Sequence, residues 1–360
     1  MSEYRCCVLL KEILGHSDGN TGMIRVALVG AGSHSATQHA PALRMLSERH
    51  PGQLELTAVC DPIAAKAARV ARQYGFARHA QSLDALSGIA LDGLVVVLPI
   101  PVMAQATPQF LRWGLPMVIE KPLGRNLSEA REIVATVEAS GVPVMVSLNR
   151  RFDPALRMAL EWVERERLCI RLAEGCMLRS HRTEPDFLWG TGVHLIDALC
   201  SVAGPLELQG APQVITHGGS ACGRTALLHG ESGVSVQLTI LPCAGKVEET
   251  IRLLGDEFIV EVKTGAVHPW SVQIWRNGQP ALSVAAPSLE PEFLSSGAYA
   301  EMEAFIAALQ TKSRLTPTPQ QALASGLIAS RLQECDAPSK YPPAERAALG
   351  SPPKGGVKLP

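Results

Sequence analysis

The apolar pattern becomes regular at Met23. Ile24 to Val29 (IRVALV) is an almost unbroken apolar run ending in Gly30-Ala31-Gly32, the pattern of a strand buried on both faces of a parallel sheet. A helix is predicted from about Thr37 to His50, closed by Pro51-Gly52. Leu54 to Cys60 is a second strand, ending at Asp61-Pro62, and the Ala-rich stretch from Ile63 to Tyr74 is a helix stopped by Gly75. The alternation continues through strands at Gly93 to Leu98, Met117 to Ile119 and Val142 to Leu148, with helices over 102–113 and Ser128 to Ser140. Strands alternating with helices predict a doubly wound α/β domain with right-handed crossovers.

The rhythm changes near Asn149. Helices are predicted over Pro154 to about Arg167 and Val193 to Val202. Strands are predicted at 168–178, 206–217, 224–229, 234–241, 247–254, 258–262 and 271–276, with Gly-containing turns such as Glu231-Ser232-Gly233 and Arg276-Asn277-Gly278. Consecutive strands on short turns make a mainly antiparallel sheet, hence an α+β second domain. Two closing helices, about 299–311 and 320–334, precede a Pro/Gly/Lys-rich tail. The expected organisation is a flexible leader over 1–22, a dinucleotide-type domain over 23–150, an α+β domain over 151–335 and a tail over 336–360.

Composition narrows the function classes. The chain of 360 residues is long enough for two domains, 46% hydrophobic and 19% charged, with a formal net charge of −1. No basic run or aromatic-arginine stripe points to nucleic acid, and no apolar run approaches a membrane span. The nine cysteines form no CxxC pair and no histidines sit at zinc spacing, so reduced thiols in a cytosolic protein and no metal site are expected.

Three sequence features carry chemistry. Gly30-Ala31-Gly32-Ser33-His34-Ser35 is a GxGxxG-type turn with Ser in the third position, between a predicted strand and a predicted helix. Its first glycine permits the tight turn, and its second lets backbone amides approach a pyrophosphate at the helix N-terminus. Asp61, at the end of the second strand, is placed to accept hydrogen bonds from ribose hydroxyls and to repel a 2′-phosphate, which favours NAD over NADP. An Asp-Pro turn that merely starts the next helix fits the same residues. Glu120-Lys121-Pro122 follows a predicted strand, at the rim where open α/β sheets bind ligands.

With these motifs, the chain resembles the glucose–fructose oxidoreductase / inositol dehydrogenase / MocA (Gfo/Idh/MocA) family from about Met23 to Glu334. The resemblance also includes Asn149-Arg150-Arg151-Phe152, Gly192-Val193-His194-Leu195-Ile196-Asp197 and Glu301-Met302-Glu303-Ala304-Phe305. It implies hydride transfer between a nicotinamide and a carbinol carbon of a sugar, cyclitol or derivative, in a homo-oligomer. Lys121 is implied to be catalytic, with Pro122 setting its turn through a cis peptide bond. His194 is the second implied catalytic residue; Asp197, three residues on along the helix, is placed to orient its ring. Its ionisation is expected near the histidine range, subject to the shifts burial imposes. The alternatives are Lys121 acting with water, or a histidine packed without chemistry.

In the family an aspartate often stands four residues before this histidine; here that position is Gly190. Cofactor contacts are expected at Gly30, Gly32, Ser33, His34, Asp61, Pro99, Glu120 and Lys121. Substrate contacts are expected at Lys121, Arg151, Arg179, Arg182, Trp189, Thr191, His194 and Asp197. The arginines suit an anionic group or a surface pairing with Glu184 and Asp186. An NAD-dependent lyase or glycosidase, a non-catalytic dinucleotide-binding regulator and an NADP-linked ketoreductase of a nucleotide sugar are the alternatives.

Overall fold

The computed structural model describes residues 22–217, 220–267 and 269–334. All but residue 22 of the expected leader, the whole expected tail and residue 335, with Cys6, Cys7 and Cys335 among them, lie outside the described residues.

The first sheet has six parallel strands, β1 (Ile24–Val29), β2 (Leu54–Cys60), β3 (Arg78–Ala80), β4 (Gly93–Val96), β5 (Met117–Glu120) and β6 (Val144–Ser147), in the order β3-β2-β1-β4-β5-β6. Val26, Ala27 and Leu28 are fully enclosed because helices cover both faces, which is why the run reads as apolar rather than alternating. The crossover helices are α1 (Ala40–Arg49), α2 (Ala64–Tyr74), α3 (Ile100–Leu111) and α4 (Leu127–Ser140). The strand order reverses between β1 and β4, the switch point beside whose carboxyl ends open sheets of this kind bind ligands.

After α5 (Pro154–Arg165), β7 (Ile170–Leu178) and α6 (Val193–Ala203), the chain runs through the strands of the second sheet. These are β8 (Leu206–Leu208), β9 (Gln213–His217), β10 (Ser220–Gly230), β11 (Ser235–Leu241), β12 (Glu248–Gly255), β13 (Phe258–Lys263), β14 (Ser271–Arg276) and β15 (Gln279–Ala285). The nine strands are antiparallel except that β11 runs parallel to β7. Alternating burial along β7 and β12 leaves one face against helices and the other open. The stretch expected as one strand over 206–217 is two, because Gly210-Ala211-Pro212 interrupts pairing.

Three helices close the described residues: α7 (Glu292–Ser295), α8 (Ala298–Thr311) and α9 (Pro319–Glu334). Grouped with the second domain in sequence, α8 packs on the first sheet, where Met302 and Phe305 join the cluster of Val26, Leu28 and Leu43. Among the described residues, no helix is long and apolar enough to cross a membrane.

Helix α8 also carries Glu301 into this core. Its Oε2 accepts a hydrogen bond from Ser147 Oγ at 2.9 Å, while Oε1 is buried without a partner among the described residues. Burial, aided by the Glu120 charge, pushes the carboxyl well above the usual range. A raised folded-state pKa gives stability that is complete below the ordinary glutamate range and lost as pH rises toward the folded value. Through that window wild type should lose about 1.4 kcal/mol of stability per pH unit from this group. Glu301→Gln should flatten the slope, as denaturant unfolding at several pH values would reveal; an unchanged slope would contradict the assignment.

Candidate active site

The glycine turn follows from a close approach of two strands' ends. Gly30 has φ +95°, and a Cβ there would lie 2.0 Å from the Val97 carbonyl oxygen just past β4. A Cβ on Gly32 meets nothing within 4 Å, so the space beside that peptide is open. Ser33 and His34 are exposed on the turn. Ser35, at the third motif position, is buried, and its Oγ has no partner among the described residues. Helix entry is a π-turn over Ser35–His39 running into α1, a feature often found at functional sites.

Asp61 ties the turn to β2. Its Oδ2 accepts the Ala31 N–H and its Oδ1 the Ile63 N–H, both at 2.8 Å. The carboxylate therefore both braces the turn and starts the next helix, combining the two sequence readings. Pro99 lies exposed at the start of α3, on the same rim. An open glycine cradle, a helix N-terminus and an anchored carboxylate at the switch point fit a dinucleotide.

Strand β5 delivers Glu120 and Lys121 to this rim. The Lys121–Pro122 peptide is cis. Lys121 Nζ donates to the Gly190 carbonyl oxygen at 2.9 Å, across to the π-turn Leu188–Gly192 that leads into α6. Burial pushes the Lys121 ammonium down to about 8; Glu120 pulls the other way, while Arg150 and Arg182 add to the fall. Burial opposes ionisation of Glu120, yet hydrogen bonds from His34 and His39 hold its carboxyl well below the usual range.

His194 sits in the first turn of α6 and is buried. Its Nδ1 has no hydrogen-bond partner among the described residues. Burial, then the charges of Lys121 and Arg150, push its pKa well below the ordinary value, so the imidazole is neutral through the physiological range. The expected titration in the ordinary histidine range is displaced for that reason.

Several expected substrate residues have their polar atoms engaged within the protein. Asp197 faces Arg151, which donates to it from Nε and Nη2 at 2.7 and 2.8 Å, and it also accepts from Ser325 Oγ. It makes no hydrogen bond to His194, contrary to the expected orienting role, because a fully buried carboxylate takes the nearest guanidinium. Arg179 is likewise buried. It pairs with Glu249 and donates to the carbonyls of Leu178 and Glu248, which a buried guanidinium requires. Trp189 is buried and its Nε1 donates to the Gly124 carbonyl at 2.9 Å, fastening the turn after Lys121 to α6. Arg182 stays partly exposed; its Nη2 reaches Thr191 Oγ1 at 3.3 Å and its Nε pairs with Glu184.

Sequence reasoning missed His39, Arg150 and Glu249. Arg150 Nε lies 3.2 Å from Glu249 Oε1, across 99 residues, and only the fold brings them together. His39 had a weak signal in lying one residue beyond a helical turn from His34.

Residues 24–148 match the sequence model of a family described as "Oxidoreductase family, NAD-binding Rossmann fold". An inositol 2-dehydrogenase of Rhizobium meliloti is 30% identical over 142 residues, 38% of this chain and 41% of that protein. This chain spans about 40% of the length of the first curated relatives it matches. Among solved structures, a dehydrogenase from Chromobacterium violaceum superposes with TM-score 0.74 at 18% identity, over 91% of this chain and 97% of that one. A levoglucosan dehydrogenase in complex with NADH and levoglucosan gives TM-score 0.71 at 16% identity, over 86% of this chain and 96% of that one. These structural likenesses concern the fold. With the Gly30, Asp61 and Lys121 motifs in their places on the rim, residues 24–148 are similar in sequence to the NAD-binding domain of the Gfo/Idh/MocA oxidoreductases.

Proposed function

We propose that the chain is an NAD-dependent dehydrogenase or reductase acting on a carbinol or keto carbon of a sugar, cyclitol or sugar derivative, with NADP as the alternative cofactor. The observation that carries this reading is the meeting of a glycine cradle, an enclosed lysine and a neutral histidine at one sheet rim. The inositol and levoglucosan dehydrogenases among the matches support a polyhydroxylated substrate.

Gly30, Gly32, Ser33 and His34 would hold the pyrophosphate end, and Asp61 the adenosine ribose. When bound, NAD supplies the hydride acceptor. The chain itself supplies the handling of the proton. Lys121 Nζ, already aimed across the cleft at the Gly190 carbonyl, donates to the reacting oxygen and stabilises negative charge as it develops there. His194 hydrogen-bonds the same oxygen through a ring nitrogen and accepts the proton on oxidation. Arg182, half-exposed beside Thr191, is the residue best placed for an anionic substituent. We further assign the protein to the cytoplasm and to a homo-oligomer whose contact is the open face of the nine-stranded sheet.

A thermal-shift screen of sugars, cyclitols and sugar acids, each with NAD present, tests the substrate class. A true substrate or product should raise the melting temperature beyond NAD alone, since a ligand of the folded state stabilises it by mass action. A panel that leaves the NAD-bound melting point unmoved would count against a polyol.

Asp61 has a separate test. Asp61→Ala removes the acceptors for the Ala31 and Ile63 amides together with the ribose contact. NAD affinity should fall and the preference for NAD over NADP should narrow in binding titrations. A wild type that already prefers NADP would refute the assignment.

A further inference from the structure

The dinucleotide reading leaves His39 without a task and gives Glu120 little to do, yet the two meet His34 at one point. His39 Nε2 lies 2.7 Å and His34 Nε2 3.3 Å from the same atom, Glu120 Oε1. One ligand atom from each residue falls within 4.8 Å of the other two. The side chains of His39 and Glu120 are 1% and 8% exposed, whereas His34 is 54% exposed on the glycine turn, so the cluster is built from inside and open to solvent at one edge.

A buried carboxylate demands a cation or several strong donors. Among the described residues no arginine or lysine side chain is bonded to Glu120, and the two imidazoles meet that demand at Oε1. Its Oε2 accepts the Lys121 backbone N–H at 3.2 Å, and the Lys121 ammonium is turned to Gly190. Two imidazoles converging on one carboxylate oxygen are also the donor set of a zinc site with an open position.

We propose that His34, His39 and Glu120 form a binding site for a borderline divalent cation of the zinc class, and that its occupation opposes dinucleotide binding. Tetrahedral bonds of about 2.0–2.2 Å put neighbouring ligand atoms about 3.3 Å apart. The His34 contact already has that spacing, and the His39 contact needs to open by about half an ångström, which rotation of the Glu120 carboxylate supplies. Coordination through His39 Nε2 exchanges its hydrogen bond to Glu120 for bonds from both groups to the cation, while His39 Nδ1 is buried without a partner among the described residues. Solvent fills the open position. The site was not legible as metal spacing because Glu120 stands 81 residues from His39. Metal affinity follows from the cluster alone; the opposition to the dinucleotide rests on the reading of the Gly30–Gly32 turn, since His34 belongs to that turn.

The test uses the full chain, freed of metal by a chelator and kept reduced. Zinc is titrated calorimetrically, and cobalt(II) is added as a spectroscopic substitute. Wild type should bind an ion with nitrogen–oxygen cobalt bands and no thiolate charge-transfer band. His34→Ala, at an exposed position, should fold normally and bind at least about tenfold more weakly, because losing a ligand costs no less than losing an outer-shell partner. Glu120→Gln should behave alike. NAD titrations with and without zinc should show weakened binding in wild type and no zinc effect in His34→Ala.

Binding that survives His34→Ala, or cobalt bands of thiolate type from the exposed Cys169 or Cys243, overturns the site. Zinc-loaded wild type that takes up NAD at full affinity overturns the competition. A metal-free protein that does not bind NAD at all would instead defeat the dinucleotide reading.

Discussion

Lys121→Ala should lower turnover about a hundredfold or more while leaving NAD affinity within a few-fold of wild type. The expectation follows from where the ammonium sits. Its only hydrogen-bond partner among the described residues is the Gly190 carbonyl, so substrate oxygen can take a place beside it without breaking an ion pair. Loss of a positioned donor to a developing oxyanion typically costs about 10²–10³ in rate, and loss of a proton-transfer group about 10²–10⁴. On the proposed reading the pyrophosphate and ribose contacts come from the glycine turn and Asp61, which the substitution does not touch. Lys121→Met keeps the apolar stem and controls for packing. Turnover near wild type in either variant, with a normal melting curve, would remove Lys121 from the mechanism.

The second large effect concerns His194 and the position four residues before it. His194→Ala should abolish most turnover while sparing NAD. Because burial and neighbouring cations keep the ring neutral, the wild-type rate should show no His194 ionisation in the ordinary histidine range. Gly190→Asp probes the missing family carboxylate. A Cβ at Gly190 meets nothing within 4 Å, so a side chain fits there without a clash. An aspartate would place its carboxylate beside the Lys121 ammonium and tie it up as an ion pair. Turnover should therefore not rise. An inactive wild type in which Gly190→Asp creates activity would instead mark a decayed, non-catalytic relative. An active wild type indifferent to His194→Ala would leave Lys121 and water to move the proton.

What was legible in the sequence divides along physical lines. The strands Ile24–Val29 and Leu54–Cys60 announce themselves because burial on both faces leaves almost no polar position, and Gly75 and Gly141 mark helix ends because both take positive φ. Strand Gln279–Ala285 is not legible, since it lies at the sheet edge with nearly every residue exposed and shows no alternation. The π-turns at Ser35–His39 and Leu188–Gly192 leave no periodic trace either. Among site residues, Gly30, Asp61 and Lys121 can be placed from their positions after strands. Partnerships such as Arg151 with Asp197, or Arg150 with Glu249, depend on tertiary proximity that spacing does not encode.

On the proposed function this rim holds NAD and moves a hydride to or from a polyol with Lys121 at the reacting oxygen. The most direct measurement follows the near-ultraviolet absorbance of reduced nicotinamide after mixing stoichiometric enzyme and NAD with the polyols that stabilise the NAD-bound protein. Reduced cofactor should form with at least one of them in wild type and fall away in Lys121→Ala. NAD that binds and stays oxidised with every stabilising polyol, or reduction that proceeds equally without Lys121, would contradict it.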